Sequence, residues 1–345
     1  MGITNQEYFL LFLGSYLLVG LLTPLMRKIA LATDVVDKPN TSHKSHKQPV
    51  PYLGGVAIII GIIVVAYSTS LVSNFTTKTF WLATSVLAPA LVLGLIGLWD
   101  DMKNLPPLPR FVAQTVAGLF TAFILIATDN VGNPTGSEIF DSVITIIWVV
   151  GICNSINFFD NLDGGAAGTV AISSTALAYL ALNGDQYLIA ALATVTAGAT
   201  MGFLIWNKSP ARIYMGDAGA LFLGVLLATL TVRLHPTADT QLGSYLTPVL
   251  LLAVPILDTS VAVISRLKRN ISPFQGGQDH LSHRLIRAGL SRRKAAFSLW
   301  GLSGVFSLAA IYISRPNQNY ESLIISITGF TWLILFGIFF KTKDA

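Results

Sequence analysis

Long apolar runs separated by short polar stretches dominate this chain. Eleven of these runs have the length of a membrane-spanning helix. We place them, with approximate ends, at 8–26, 53–73, 80–99, 111–128, 142–156, 165–182, 187–206, 216–234, 245–265, 297–313 and 322–340. The pattern predicts an all-α polytopic integral membrane protein with about 11 transmembrane helices.

The distribution of positive charge tests this arrangement. The first run has Glu7 before it and basic residues behind it, the reverse of a cleaved signal peptide, so we expect it to be retained with the N-terminus outside. An odd number of spans then places the C-terminus in the cytosol. Basic residues collect in the loops that become cytosolic, as the positive-inside rule requires. Of the 22 Lys and Arg residues, the exceptions are Lys78, Arg233 and Arg315.

Composition excludes a soluble multidomain protein. Hydrophobic residues make up 53% of the chain and charged residues only 11%, whereas soluble domains have about 25% charged residues. The single cysteine, Cys153, excludes an internal disulfide framework. We expect one membrane domain, 1–345, whose functional loops are cytosolic and lie at 27–52, 100–110, 154–165, 207–217 and 266–296.

Polar residues of chemical interest collect on the cytosolic side, whereas the external loops are typical of turns. The cytosolic stretches are "DKPNTSHKSHKQPVPYLGG" (37–55), "DDMKNLPPLPR" (100–110), "NSINFFDNLDGG" (154–165), "NKSPARIYMGDAG" (207–219) and "SPFQGGQDHLSHR" (272–284).

The first candidate residues are the adjacent acids Asp100 and Asp101 at the end of an apolar run. They could form a solvated helix end, but negative charge at a helix C-terminus is unfavourable. Neighbouring helical residues point about 100° apart. We therefore expect the two carboxylates to have different roles.

A second candidate set recurs at every third position: Asn154, Asn157, Asp160 and Asp163. On a 3₁₀ turn all four would share one side, and on an α-helix only neighbours in the series would. Helix capping is the simpler alternative. It would apply to Asp163 or its neighbour Asn161 for the next helix, and to Asp217 for the helix that it begins.

The third candidate set is the histidine loop. His280 and His283 are three residues apart and Arg284 follows them, but no third His or Cys ligand is nearby, which makes zinc a poor interpretation. Arg beside glycines fits oxyanion binding better. The carboxylate and amide oxygens of the other stretches suit Mg²⁺, which keeps part of its shell for substrate phosphates.

These five stretches, in this order, resemble the polyprenyl-phosphate N-acetylhexosamine-1-phosphate transferases of glycosyltransferase family 4. The resemblance covers residues 37 to 290 and depends on the agreement of all five motifs. It implies transfer of a sugar-1-phosphate from a UDP-sugar to a lipid phosphate, with Mg²⁺, or alternatively Mn²⁺, as cofactor.

The resemblance also implies roles for individual residues. Asp100 would engage or deprotonate the lipid phosphate beside Asp101, while Asn157 and Asp217 would bind the metal ion. The nucleotide-binding set would be Asp160, Asp163, Asn207 and Tyr214, with uracil stacked on the tyrosine ring. The diphosphate-binding set would be Arg110, Arg212, His280, His283 and Arg284.

Four positions depart from the family pattern. Arg110 and Arg212 stand where the family usually has lysine, and Ser282 replaces the middle histidine of the loop. The early basic motif is displaced by one residue in "HKSH" (43–46), so His43 and His46 receive no role.

The expected reaction is attack by the phosphate of a polyprenyl, here undecaprenyl, carrier on UDP-GlcNAc with release of UMP. The UDP-MurNAc-pentapeptide reaction of the same family is the alternative. The expected partners are the UDP-N-acetylhexosamine, undecaprenyl phosphate and membrane lipid, without nucleic acid; a homodimer is left open. The expected location is the bacterial cytoplasmic (inner) membrane, with the active site facing the cytosol. A secondary transporter is the rival class, and it rests mainly on Asp258 within an apolar run.

Overall fold

The computed structural model describes residues 4–37, 50–72, 76–103, 105–127, 137–273 and 277–342. This part of the chain is a bundle of α-helices with one small sheet. The helices are α1 (Asn5–Ala32), α2 (Gly54–Val72), α3 (Thr77–Lys103), α4 (Pro107–Ala127), α5 (Glu138–Phe159), α6 (Gly165–Asn183), α7 (Tyr187–Asn207), α8 (Gly216–Val232), α9 (Gln241–Leu251), α10 (Ala253–Lys268), α11 (Leu281–Arg287), α12 (Arg292–Ile313) and α13 (Glu321–Lys341). The sheet is an antiparallel pair, β1 (Val36–Asp37) and β2 (Val50–Pro51).

Each of the eleven predicted apolar runs overlaps a helix, which confirms the all-α prediction. The run at 245–265 is divided between α9 and α10, which are bent by 73° relative to each other. The short helix α11 was not predicted and lies inside the loop 266–296.

The number of spans differs from the prediction. Seven helices of the described chain are long and apolar enough to cross a membrane, or eight if the bent pair α9–α10 is one span. Three further apolar helical stretches have only 10–17 described residues: Gly54–Ser68, Phe111–Ala127 and Gly216–Val232. The protein is therefore a multi-pass membrane protein, but eleven spans are not confirmed, and the orientation of the termini stays a prediction.

Helix α8 is the central element of the bundle. It is buried almost all round, as expected for a helix without a polar face, and packs against α2, α3 and α5. Outer helices instead expose large apolar residues such as Phe330 and Leu333 of α13 and Phe123 of α4. Such residues are typical of a lipid-facing surface.

Two glycines permit close contact of the backbones around the start of α8. A β-carbon at Gly97 of α3 would collide with the backbone of Asp217, and one at Gly55 of α2 would collide with the backbone of Gly219. The absence of these side chains brings the end of α3 and the start of α2 directly against the first turn of α8. The acidic pair and Asp217 therefore meet at one end of the bundle.

Candidate active site

The acidic pair at the end of α3 divides its contacts between two segments. Asp100 is 5% exposed, and its Oδ1 accepts a hydrogen bond from the backbone nitrogen of Leu105 at 2.5 Å. Asp101 instead accepts two bonds from the start of α8, from the nitrogens of Asp217 at 2.9 Å and Ala218 at 3.1 Å. The two adjacent acids therefore contact different segments, and their different roles stay a prediction.

Asp101 is thus the N-terminal cap of α8, although it belongs to another helix. Free backbone N–H groups and the helix dipole both favour a carboxylate at that position. The local alternative, in which Asp217 caps its own helix, is wrong, because α8 has no side-chain cap of that kind and Asp217 lies in its first turn.

Asp217 is paired with Asn157 of α5. The Nδ2 of Asn157 donates to Asp217 Oδ1 at 2.7 Å, which joins residues 60 positions apart in the chain. Asn154, one turn earlier, donates to Gln114 Oε1 at 2.6 Å. The structure therefore brings Asn157, but not Asn154, into contact with the predicted metal ligand.

The remaining acids of this stretch follow the end of α5 at Phe159. Burial raises the pKa of Asp160 to about 7, and the charges of Asp217 and Asp163 add to the shift. Asp163 Oδ2 accepts from the backbone nitrogen of Ala211 at 3.2 Å and lies 3.9 Å from an Arg292 nitrogen. One end of the bundle thus holds the carboxylates of Asp100, Asp101, Asp160, Asp163 and Asp217.

The start of α6 depends on Asn207 rather than on a local cap. Gly164, the residue before α6, has a φ of 73°, and its nitrogen donates to Asn207 Oδ1 at 2.9 Å. The other side of the amide, Nδ2, donates to the Ile213 carbonyl at 3.0 Å. The alternative in which Asn161 or Asp163 caps α6 is therefore wrong. Asn207, 2% exposed, joins two loops of the pocket, and its contact with uracil stays a prediction.

Two tyrosines lie beside the carboxylates. The ring centroids of Tyr214 and Tyr52 are 6.2 Å apart. Burial raises the pKa of Tyr214, with Asp163 contributing, and burial also raises the pKa of Tyr52, with Asp37 contributing first among the neighbouring acids. Tyr52 was missed at the level of the sequence, although it lies within the quoted motif "PVPYLGG".

The histidine loop docks on the end of α5. The His280 ring lies 6.0 Å from the Phe158 ring, and the Ser282 hydroxyl donates to Asn161 Oδ1. The His283 ring lies 5.9 Å from that of His280, and burial lowers its pKa to about 4, so His283 is neutral at pH 7. Both histidines thus adjoin the stretch that carries Asn157 and Asp160.

Asp258 joins this loop from within α10. It is fully buried, and its Oδ2 lies 2.7 Å from His280 Nδ1. At the level of the sequence this residue was the main support for a transporter, whereas the structure connects it directly with His280. Its position therefore gives no support to a transporter.

The arginines of the loop have structural partners. Arg266 forms a two-pronged ion pair with Asp279, at 2.7 and 2.9 Å, and it is 2% exposed. Burial alone would raise the pKa of Asp279, but the hydrogen bonds and charge of Arg266 hold it below its ordinary value. Neither Arg266 nor Asp279 was predicted as a functional residue.

Three arginines complete the predicted diphosphate set. Arg284, 1% exposed, donates to the carbonyls of Asp279 and Phe339 and to Ser265 Oγ, so it anchors α13 rather than lining the pocket. We therefore leave it out of the phosphate-binding set. Arg212 is exposed and stacks 5.7 Å above Trp206. The side chain of Arg110 lies outside the described residues, as do His43 and His46.

The donor set of the pocket suits a hard cation that needs few protein ligands. In the part of the chain that the structure describes, no three His, Cys, Asp or Glu residues are close enough to enclose a metal ion. Mg²⁺ is commonly held by one or two carboxylates together with substrate phosphates. Asp217 with the adjoining Asn157 amide matches that requirement, and the crowded negative charge around Asp160 favours a cation.

The fold and the site define a class: a multi-pass helical membrane protein with an acidic pocket at the helix ends. Residues 83–235 match the family described as glycosyl transferase family 4. The chain is 32% identical to the probable undecaprenyl-phosphate N-acetylglucosaminyl 1-phosphate transferase of Bacillus subtilis, over 95% of this chain and 87% of the relative.

Two other relatives agree. The decaprenyl-phosphate N-acetylglucosaminephosphotransferase of Mycolicibacterium smegmatis is 31% identical over 92% of this chain and 85% of its own length. The phospho-N-acetylmuramoyl-pentapeptide-transferase of Geobacillus kaustophilus is 28% identical over 88% of this chain and 95% of its own. The chain therefore belongs to glycosyl transferase family 4, as its motifs indicated.

Proposed function

We propose that this protein transfers N-acetylglucosamine-1-phosphate from UDP-GlcNAc to undecaprenyl phosphate and releases UMP. The observation that carries the proposal is the convergence of Asp101, Asn157, Asp160 and Asp217 from three helices on one pocket. The Bacillus and Mycolicibacterium relatives, whose names specify N-acetylglucosamine, support this donor. The muramoyl-pentapeptide relatives make UDP-MurNAc-pentapeptide the second candidate.

We further propose that the enzyme depends on Mg²⁺, or on Mn²⁺ in its place, with Asn157 and Asp217 as the protein ligands. A divalent ion held by these two residues would neutralise negative charge on the diphosphate. Asp101 keeps Asp217 in place, because its carboxylate fixes the backbone of the first turn of α8.

The reaction is a displacement at phosphorus. An oxygen of the lipid phosphate forms a bond to the β-phosphorus of UDP-GlcNAc, the bond from that phosphorus to the bridging oxygen breaks, and UMP leaves with both electrons. Asp100 orients the lipid phosphate and accepts its proton when one is present. Holding the reacting oxygens in line supplies much of the rate acceleration in such sites.

The other predicted residues would bind the donor. Uracil stacks on Tyr214, next to the loops that Asn207 joins and Asp163 supports. The diphosphate would contact His280 and His283, and Arg110 and Arg212 would supply positive charge to it. The nucleotide, the diphosphate and the lipid phosphate would thus bind at different positions around the ends of α3, α5 and α8.

The proposed location is the bacterial inner membrane with the pocket in the cytosol. The bias of Lys and Arg toward the loops that carry the pocket supports that orientation. A cytosolic pocket also gives the soluble donor access, while the polyprenyl chain stays in the bilayer.

The test is UMP release by purified protein in detergent with UDP-GlcNAc, undecaprenyl phosphate and Mg²⁺. We expect release only when all three are present, and a loss of at least about 10³-fold in Asp217→Ala and Asp100→Asn. Both variants should stay monodisperse. Normal turnover in both would refute the site, and turnover of UDP-MurNAc-pentapeptide but not of UDP-GlcNAc would refute the donor.

A further inference from the structure

The two carboxylate oxygens of Asp258 contact two different residues of the histidine loop. One oxygen, Oδ2, lies 2.7 Å from His280 Nδ1, and the other, Oδ1, accepts from the backbone nitrogen of Leu281 at 2.7 Å. Asp258 is 0% exposed, so both bonds are shielded from water. The residue thus fixes both the ring of His280 and the start of α11.

A second contact identifies the tautomer of the ring. Arg266 Nη2 lies 3.2 Å from His280 Nε2. Because a guanidinium only donates hydrogen bonds, Nε2 is the acceptor, and the proton of the neutral ring is on Nδ1, from which it points to Asp258. Arg266 is itself held by Asp279 through two hydrogen bonds. The two carboxylates therefore determine the orientation of the ring from both sides.

We propose that Asp258 is a positioning residue for the transfer reaction and acts through His280. It holds the ring, whose Nε2 accepts from Arg266, beside Phe158 and next to the acidic stretch of α5. This inference rests on the proposed function, because it requires the loop that carries His280 to contact the donor.

An amide cannot replace this carboxylate. If Asn at position 258 accepts from the Leu281 nitrogen, its NH₂ group faces His280 Nδ1. The proton of the ring must then move to Nε2, where it meets the N–H of Arg266. Asp258→Asn should therefore disturb the ring without removing bulk from the core.

The test compares kcat and KM for UDP-GlcNAc in Asp258→Asn, His280→Gln and the double variant. We expect Asp258→Asn to lower kcat by about 10²-fold, because small displacements at a reacting centre have effects of that size. The double variant should be no slower than His280→Gln alone, since residues that act through one another are non-additive. The matched control is Thr259→Val, next in sequence, which removes a buried hydroxyl without a hydrogen-bond partner and should leave turnover unchanged.

Multiplicative losses in the double variant, or wild-type rates in Asp258→Asn, would overturn the proposal. A second measurement is independent of turnover: ¹⁵N NMR of histidine-labelled protein, with His280→Gln to assign the signal. A proton on Nδ1 supports the proposal, and a proton on Nε2 in the wild-type protein overturns it. A wild-type protein that releases no UMP would instead refute the proposed function, and the NMR result would still decide the tautomer.

Discussion

The two ends of the helix bundle use buried charge in different ways. At the pocket end, burial raises the pKa of Asp160 to about 7, and the charges of Asp217 and Asp163 add to the shift. At the opposite end, Arg233, Arg315 and Glu321 each contact a hydroxyl group instead. Glu321 Oε1 accepts from the Thr240 hydroxyl at 2.5 Å, for example.

The difference indicates which end carries out chemistry. A charge that joins two helix ends stabilises the fold, whereas several carboxylates placed together destabilise it until a cation arrives. Substitutions at the pocket end should therefore change activity, whereas those at the opposite end should change stability alone.

The largest effect is expected for Asp101→Ala. The variant loses both bonds to the start of α8, so we expect the free energy of unfolding to fall by about 1–2 kcal/mol, as for other N-caps. Turnover should fall by about 10²-fold or more because Asp217 shifts with the helix. Thermal unfolding and UMP release measure the two effects. A variant that loses stability but keeps its kcat would show that the cap has no part in positioning Asp217.

An intermediate effect, on stability alone, is expected for Glu321→Ala. It removes the acceptor of the Thr240 hydroxyl, and a typical intramolecular hydrogen bond contributes about 0.5–1.5 kcal/mol. The kcat should be unchanged, because Glu321 lies at the start of α13, at the other end of the bundle. Glu321→Gln keeps an acceptor and serves as the control. A tenfold loss of kcat in Glu321→Ala would remove the distinction between the two ends.

The smallest effect is a dependence of stability on pH that comes from Asp160. Its carboxyl group has a pKa near 3.8 in the unfolded chain and about 7 in the folded protein. Between these values the folded state holds a proton that the unfolded state has lost, so stability falls as pH rises from about 4 to about 7.

Melting temperatures in a chelating buffer at pH 5 and pH 8 measure this dependence. We expect the decrease in melting temperature from pH 5 to pH 8 to be about a few degrees smaller in Asp160→Asn than in the wild-type protein. Added Mg²⁺ should reduce the drop in the wild-type protein. An equal decrease in melting temperature in the two proteins would show that the dependence on pH does not come from Asp160.

Much of the fold could be predicted from the sequence, because a long apolar segment in lipid must satisfy its own backbone hydrogen bonds and therefore forms a helix. All eleven apolar runs overlap helices, but the bend between α9 and α10 was not predicted. Their apolar run contains two prolines, Pro248 and Pro255, and the sequence does not indicate where between them the helix bends. Short apolar helices such as α8 have the hydrophobicity of a membrane-spanning helix but fewer residues than such a helix usually has.

The site was predictable where residue type and spacing carry the chemistry, as for Asn157 and Asp217. Contacts between distant segments were not. Capping rules look for a residue next to the helix, whereas α8 is capped from α3 by Asp101, and the residue before α6 is held from α7 by Asn207. The burial of Arg284 was also inaccessible, because an arginine in a polar loop has the same sequence signature whether it faces a phosphate or anchors a helix.

The contact of Gly97 with the backbone of Asp217 has a consequence for how the substrates meet. With no side chain between them, α3 and α8 form one rigid block that carries both the acid assigned to the lipid and the acid assigned to the metal ion. Any side chain at position 97 would push the two helices apart, and with them the two acids.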